Sequence, residues 1–130
     1  MATVTKDFVI AASPEKVWDA LRDFHAVHER VAPGFLTAGT RDGDDRILTF
    51  FNGFVARERL IGCDDPTRRL AYAIVEGRFT HHHASFQVFP HERGCRVVWI
   101  TDMLPDSLAD SSSMMMDQGA AAMTRTLEGR

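Results

Sequence analysis

Three side chains of different chemistry lie on segments with strand-like patterns near the middle of the chain: Tyr72, Glu76 and His82. Alternate residues of a strand share one face, so these groups can converge on the inner face of a sheet. A desolvated carboxylate or imidazole can remove a proton beside a carbonyl, as aldol cyclisation and dehydration require, while an acid protonates the departing oxygen. The three are therefore candidate catalytic residues. In the alternative interpretation, Glu76 is exposed to solvent at the end of a strand, and His82 makes a hydrogen bond that is only structural.

The other histidines do not predict a metal centre. The three consecutive histidines of residues 81–83 cannot chelate one ion from a regular strand, because successive side chains point to opposite faces. His25 and His28 can share a helix face beside Glu29, a spacing compatible with zinc, but no third ligand is visible. A nucleophile elbow, a phosphate loop and a nucleotide fingerprint are also absent from the sequence. We therefore expect neither a metal nor a cofactor.

The elements that position these residues begin with a strand and two short helices. Ser13 has the type of a helix N-cap, and Pro14 suits the first helical position, whose N–H needs no partner. The apolar positions that follow fall on one side of a helix. The predicted elements are a strand over Thr3–Ala11, a helix from Pro14 to about Asp23 and a short helix over His25–Val31.

Turn signals divide the rest of the chain into an antiparallel meander. Asn52-Gly53 is the strongest hairpin signal. A long helix then runs from Pro105-Asp106 to about Leu127, with one apolar stripe at Met116, Ala120, Met123 and Leu127. The predicted strands are residues 35–41, 46–51, 54–63, 69–76, 80–89 and 95–104.

The stretch Val9 to Gly34, VIAASPEKVWDALRDFHAVHERVAPG, resembles the opening of the START-like superfamily, also called SRPBCC, in its polyketide cyclase/dehydrase and lipid-transport branch. The resemblance covers residues 4 to 105. It implies an α+β helix-grip fold, in which a curved antiparallel sheet of about seven strands wraps around a long C-terminal helix in one domain, 1–130. The later matching segments are Gly39-Thr40-Arg41, Glu58-Arg59-Leu60, Leu70-Ala71-Tyr72, Glu76-Gly77 and Val98-Trp99.

The same resemblance implies that Arg41 and Glu58 face each other across the sheet. Such an ion pair either stabilises the sheet or anchors a ligand, because a buried charge needs a partner. One departure is plain: relatives often have Trp-His-Pro-Gly where this chain has Val-Ala-Pro-Gly at residues 31–34, so an indole and an imidazole at the cavity mouth are missing. The predicted ligand-binding residues are Trp18, Arg41, Glu58, Phe86, Trp99 and Met116.

Composition excludes some classes of partner. The net charge is −3 and Lys and Arg are scattered, so nucleic acid is not an expected partner. No apolar run approaches the roughly 20 residues that span a bilayer, and the opening MATVTKDF lacks the pattern of a signal peptide. We expect a cytoplasmic protein without stable membrane insertion. Apolar Val98, Ile100 and Phe89 on the predicted outer face favour a homodimer.

Two functions remain open from the sequence. An inner face that is mostly aromatic and aliphatic, with a few polar groups, suits a small hydrophobic molecule held by a carrier, sensor or sequestering protein. The alternative is a cofactor-free cyclase, aromatase or dehydratase that uses Glu76, His82 and Tyr72. Fold alone does not decide between them. A chaperone-activator-like interaction module would instead require an exposed groove and no enclosed cavity.

Overall fold

The computed structural model describes all residues from Met1 to Arg130. Seven antiparallel strands form one sheet in the order β1-β7-β6-β5-β4-β3-β2, so each strand after β2 pairs with its predecessor and β7 also pairs with β1. The strands are β1 Ala2–Ile10, β2 Leu36–Asp42, β3 Asp45–Phe50, β4 Val55–Asp64, β5 Arg69–Ile74, β6 His81–His91 and β7 Gly94–Leu104.

Three helices accompany the sheet. They are α1 Pro14–Arg22, α2 Val27–Arg30 and α3 Ala109–Leu127, and short 3-10 turns precede α2 at Phe24–Ala26 and α3 at Asp106–Leu108. A curved sheet with two short helices after its first strand and one long C-terminal helix is the predicted α+β helix-grip architecture, which is thereby confirmed. None of the three helices combines the length and hydrophobicity needed to cross a bilayer.

Local signals explain where the first helix begins. The Ser13 hydroxyl accepts a hydrogen bond from the Lys16 backbone N–H at 3.1 Å, and Pro14 occupies the first helical position. The buried face of α1 then packs into the core through Val17, Trp18, Ala20 and Leu21. The predicted helix start is therefore confirmed.

The Asn52-Gly53 turn joins β3 to β4, as its sequence predicts. Gly53 has φ +86°, a backbone conformation that favours glycine, and the Asn52 side-chain oxygen accepts from the Phe54 N–H at 3.1 Å. Strand β4 contains a bulge between Leu60 and Gly62, and its distal half is exposed. Alternation along the sequence places Leu60 on the same inner face as Glu58, and this prediction is wrong, because the Leu60 side chain lies on the exposed half.

The long helix α3 lies against the inner face of the sheet. Its buried residues include the predicted Met116, Met123 and Leu127, while Gly119 and Ala122 replace the predicted Ala120. At Gly119 an added Cβ would lie 3.1 Å from both the Phe35 and Trp99 rings, so the helix approaches these side chains closely here. This helix and the sheet form two walls of the cavity described next.

The apolar residues that suggested a homodimer lie on the sheet as half-buried side chains. Val98, Ile100 and Phe89 each keep part of their surface exposed to water in the single chain. A homodimer that covers them stays a prediction.

Candidate functional site

An open cavity of about 550 Å³ lies between the inner face of the sheet and helix α3, and α2 contributes to its lining. Of its 27 lining residues, 17 are hydrophobic. It reaches the surface beside the β3–β4 turn, the β5–β6 loop and the first half of α3, where lining residues are exposed: Asn52, Gly53, Phe54, Arg78 and Ser111.

A buried ion pair forms the most polar part of the cavity wall. Arg46 on β3 and Glu58 on β4 are direct cross-strand partners and are each 4% exposed. The Arg46 Nε donates to Glu58 Oε1 at 2.9 Å, and Nη2 lies 2.7 Å from the same oxygen. Arg46 also donates to the Phe24 carbonyl oxygen at 3.0 Å, and its guanidinium stacks 3.9 Å from the centre of the Phe24 ring. These contacts compensate the desolvation of both charges.

The predicted Arg41–Glu58 pair is wrong, because strand β3 lies between their strands. Two strand spacings, about 10 Å, separate β2 from β4, and Arg46 of β3 takes the place opposite Glu58. The Arg41 side chain is 62% exposed, donates to the Gly43 carbonyl oxygen at 2.9 Å and lies 3.7 Å from Asp44. It does not line the cavity.

Tyr72 lies beside this ion pair. The Arg46 guanidinium is 5.1 Å from the centre of the Tyr72 ring, and the Tyr72 oxygen accepts a hydrogen bond from the Trp99 indole N–H at 3.1 Å. Burial raises the pKa of Tyr72 well above its usual range, and the nearby Glu58 carboxylate raises it further. The phenol therefore stays protonated at neutral pH.

His82 completes the group that we call the polar cluster, defined as Arg46, Glu58, Tyr72 and His82. The His82 Nδ1 accepts a hydrogen bond from the Ile74 backbone N–H at 3.0 Å, and its ring centre lies 6.1 Å from that of Tyr72. Burial lowers the pKa of His82 to about 4, and His83 and His81 act in the same direction. At neutral pH the imidazole is neutral, and its proton must therefore be on Nε2.

Glu76 does not join His82 and Tyr72. Strand β5 ends at Ile74, and the Glu76 side chain beyond it is 69% exposed, 3.9 Å from Arg57. It does not line the cavity. The predicted inward position of Glu76 is wrong because the strand is two residues shorter than its sequence pattern indicates, so alternation no longer applies there. Of the three candidate catalytic residues, the structure brings together only Tyr72 and His82.

Trp18 also lies outside the cavity. Its ring is buried in the core, and its indole N–H donates to Asp65 Oδ1 at 2.9 Å, next to Arg22. The amphipathic pattern of α1 predicts its burial but not which side of the core it faces. The other predicted ligand-binding residues line the cavity: Glu58, Phe86, Trp99 and Met116.

The histidines near α2 make separate contacts. His25 Nε2 lies 3.0 Å from the Asp44 carbonyl oxygen, whereas His28 Nε2 lies 3.2 Å from Glu29 and its ring packs against Gly39. No three His, Cys, Asp or Glu side chains are grouped to hold a metal ion.

Arg46 is the main site residue that the sequence reasoning missed. The family resemblance indicates Arg41, whereas Arg46 follows four residues typical of turns at 42–45. The signal available was pairing: in a hairpin whose three-residue loop, 51–53, is centred on Asn52, Phe50 lies opposite Phe54 and residue 46 opposite residue 58, because both pairs of numbers sum to 104.

The free energy of unfolding of the parent protein is expected to fall as the pH is lowered from 6.5 to 4. Replacement of His82 with glutamine is expected to remove this decrease. The unfolded chain protonates this imidazole near pH 6.5 and the folded chain only near pH 4, so the unfolded state binds more protons between these values. The neutral imidazole therefore contributes its full stabilisation above pH 6.5. As the pH falls to 4, the free energy of unfolding decreases by up to about 3 kcal/mol. Urea unfolding at pH 7 and pH 4.5 measures the difference.

The matched control for this prediction is His81→Gln, on the exposed neighbouring residue. That variant should retain the pH dependence of the parent protein. If His82→Gln loses as much stability between pH 7 and pH 4.5 as the parent does, the inference of a neutral buried imidazole is wrong.

The comparisons with known proteins agree with this architecture. A family model described as polyketide cyclase/dehydrase and lipid transport matches residues 1–129. No curated protein sequence is significantly similar to the chain.

Similar solved structures cover nearly the whole chain. One from Thermobifida fusca is 29% identical over 98% of this chain and 91% of its own, with a TM-score of 0.76. The protein XoxI from Bacillus cereus is 22% identical over 99% and 94%, with a TM-score of 0.80. A point mutant of norcoclaurine synthase from Thalictrum flavum, bound to a transition-state analogue, is 16% identical over 97% and 93%, with a TM-score of 0.69. The last two likenesses show a common fold. Because the family model spans nearly the entire sequence, the chain belongs to the polyketide cyclase/dehydrase and lipid transport family of the START-like (SRPBCC) superfamily.

Proposed function

We propose that this protein binds one small hydrophobic molecule in the cavity between the sheet and α3, as a carrier, sensor or sequestering protein. The observation that carries the proposal is the cavity itself, whose volume of about 550 Å³ falls in the range typical of small-molecule sites. Its lining is mainly hydrophobic, and the polar cluster supplies a small group of polar side chains on one part of the inner face. This combination favours an apolar ligand that is oriented by a small number of hydrogen bonds.

The route into the cavity supports exchange of such a ligand. Phe54 and Arg78 are exposed and line the cavity, so it is continuous with solvent at this end. Phe51 and Met114 are further exposed apolar side chains, on the β3–β4 turn and on α3. A hydrophobic molecule can enter here without the sheet having to open.

The enzymatic alternative, a cyclase, aromatase or dehydratase, has less support. The carboxylate proposed as its base, Glu76, lies outside the cavity and close to Arg57. Tyr72 keeps its proton, and His82 is too weak a base to accept one readily at neutral pH, since its pKa is lowered to about 4. We therefore favour binding over turnover. Residence in the cytoplasm and a homodimer belong to the same proposal, and nucleic acid is not part of it.

Native mass spectrometry of the protein purified from its source tests the proposal. We expect a species heavier than the chain by the mass of one small molecule, which is released when the protein unfolds. A compound that is recovered unchanged after incubation with the protein agrees with binding. A compound that the protein converts favours the enzymatic alternative, and a persistently ligand-free protein that also takes up no added apolar probe contradicts both.

A further inference from the structure

One oxygen of the buried Glu58 carboxylate is left without a protein partner. Both contacts from Arg46 go to Oε1, and no side chain or backbone N–H donates to Oε2. The only fully buried side-chain polar atom without a partner in the protein is His28 Nδ1, so Glu58 Oε2 retains accessible surface. Glu58 lines the cavity, and this oxygen is therefore a hydrogen-bond acceptor available inside it.

Two neutral donors lie near this acceptor. The Tyr72 oxygen accepts from Trp99, and no protein group accepts the phenolic proton. The His82 Nδ1 is occupied by the Ile74 N–H, so its donor is Nε2–H, which also has no partner in the protein. Glu58 and Ile74 are direct cross-strand partners, and His82 contacts Ile74, so acceptor and donors belong to one part of the inner face.

The charge of the polar cluster is already balanced. Arg46 and Glu58 neutralise each other, while Tyr72 and His82 carry no charge at neutral pH. An ionised group brought against the cluster would lose its hydration without gaining an unpaired counter-charge. A ligand carboxylate would in addition face the free oxygen of Glu58. These conditions favour an uncharged polar group.

A hydroxyl is the uncharged group that satisfies both kinds of partner, because it donates one hydrogen bond and accepts others. The geometry points to a neutral alcohol or phenol as the buried end of the ligand, donating to Glu58 Oε2 and accepting from Tyr72 or His82. This inference rests on the proposed function and adds the chemical class of the ligand. Glu58 is then the residue that selects hydroxyl compounds over carboxylates.

Four probes that share one ring system test the inference: naphthalene, 2-methoxynaphthalene, 2-naphthol and 2-naphthoate. Their affinities for the intact protein can be measured at pH 7 by fluorescence titration. We expect 2-naphthol to bind about 10–100-fold more tightly than naphthalene, because a hydrogen bond to a charged acceptor increases affinity by about this factor. The methoxy compound cannot donate and should bind like naphthalene, and the carboxylate should bind most weakly.

The double variant Arg46→Met/Glu58→Met removes the acceptor without leaving an unpaired charge. It should lose the preference for 2-naphthol over naphthalene and 2-methoxynaphthalene. The matched control is Glu76→Gln, which changes a carboxylate outside the cavity and should keep that preference. If the double variant does not fold, the affinities of the parent protein for the four probes still test whether the cavity prefers a hydroxyl group.

The possible outcomes separate the two proposals. Equal affinities for naphthalene, its methoxy derivative and 2-naphthol, or tightest binding of the naphthoate, would overturn the hydroxyl inference while leaving hydrophobic binding intact. Failure of all four probes to bind would overturn the inference and the proposed function together. Retention of the hydroxyl preference in the folded double variant would exclude Glu58 as its source.

Discussion

Replacement of Arg46 with alanine is expected to lower the free energy of unfolding by about 3–5 kcal/mol. The substitution leaves the Glu58 carboxylate buried without its counter-charge, and it removes the donor that satisfies the Phe24 carbonyl oxygen. It also removes a guanidinium stacked on the Phe24 ring. Equilibrium unfolding in urea at pH 7 measures the loss.

Two further variants separate the ion pair from simple loss of a charge. Arg41→Ala removes an exposed arginine whose partners are also exposed, and should change stability by less than about 0.5 kcal/mol. Arg46→Met/Glu58→Met replaces both charges with apolar side chains and should be far less damaging than Arg46→Ala. If Arg46→Ala and Arg41→Ala destabilise the protein equally, Arg46 is not the partner that Glu58 requires.

Filling the cavity from both walls is expected to weaken binding of an apolar probe by about 100-fold. Thr101 on β7 and Ser112 on α3 line the cavity from the sheet and from the helix. In the variant Thr101→Phe/Ser112→Trp, two rings occupy space that the ligand would fill. Displacing three or four ligand carbons forfeits about 0.8 kcal/mol each, or about 3 kcal/mol in total, which corresponds to this loss of affinity. Titration with naphthalene measures it.

Substitutions of the same type outside the cavity provide the control. Ile100 is the neighbour of Thr101 on β7, and Asp110 is an exposed residue of α3; neither lines the cavity. The variant Ile100→Phe/Asp110→Trp should bind naphthalene with the affinity of the parent. Equal loss of binding in both double variants would show that the probe binds elsewhere, or that added bulk acts through stability rather than through the cavity.

Local chemistry predicts much of the fold because it acts over a few residues. Ser13 and Pro14 define a helix start, and Asn52-Gly53 defines a hairpin, whatever the distant chain does. The hairpin also determines the register of β3 and β4, which in turn places Arg46 opposite Glu58. The cavity residues on regular strands, such as Phe86 and Trp99, follow from alternation once the inner face is known.

The structure differs from the sequence prediction where a strand ends, pairs or bends in a way that alternation does not encode. The sequence pattern extends β5 past Ile74, its observed end, and so predicts that Glu76 lies on the inner face. The family resemblance pairs Arg41 with Glu58, although strand β3 lies between their strands and keeps them apart. Leu60 lies next to a bulge. In each case strand length or strand neighbours, which depend on tertiary packing, determine where the side chain lies.

The location of Trp18 depends on packing of a different kind. Its apolar neighbours predict burial, but a helix face can meet the core at several places. The hydrogen bond from its indole to Asp65 joins residues 47 positions apart and fixes the side chain away from the cavity. Sequence periodicity contains no information about such a distant partner.

The position of a bound probe tests the central claim most directly. In a protein whose methionine methyl groups are labelled with carbon-13, intermolecular nuclear Overhauser effects report which methyls lie beside a saturating naphthalene probe. The cavity account predicts contacts to the buried Met116 and Met123, and none to Met114, which is 65% exposed and outside the cavity. Contacts to Met114 without any to Met116 or Met123 would contradict it.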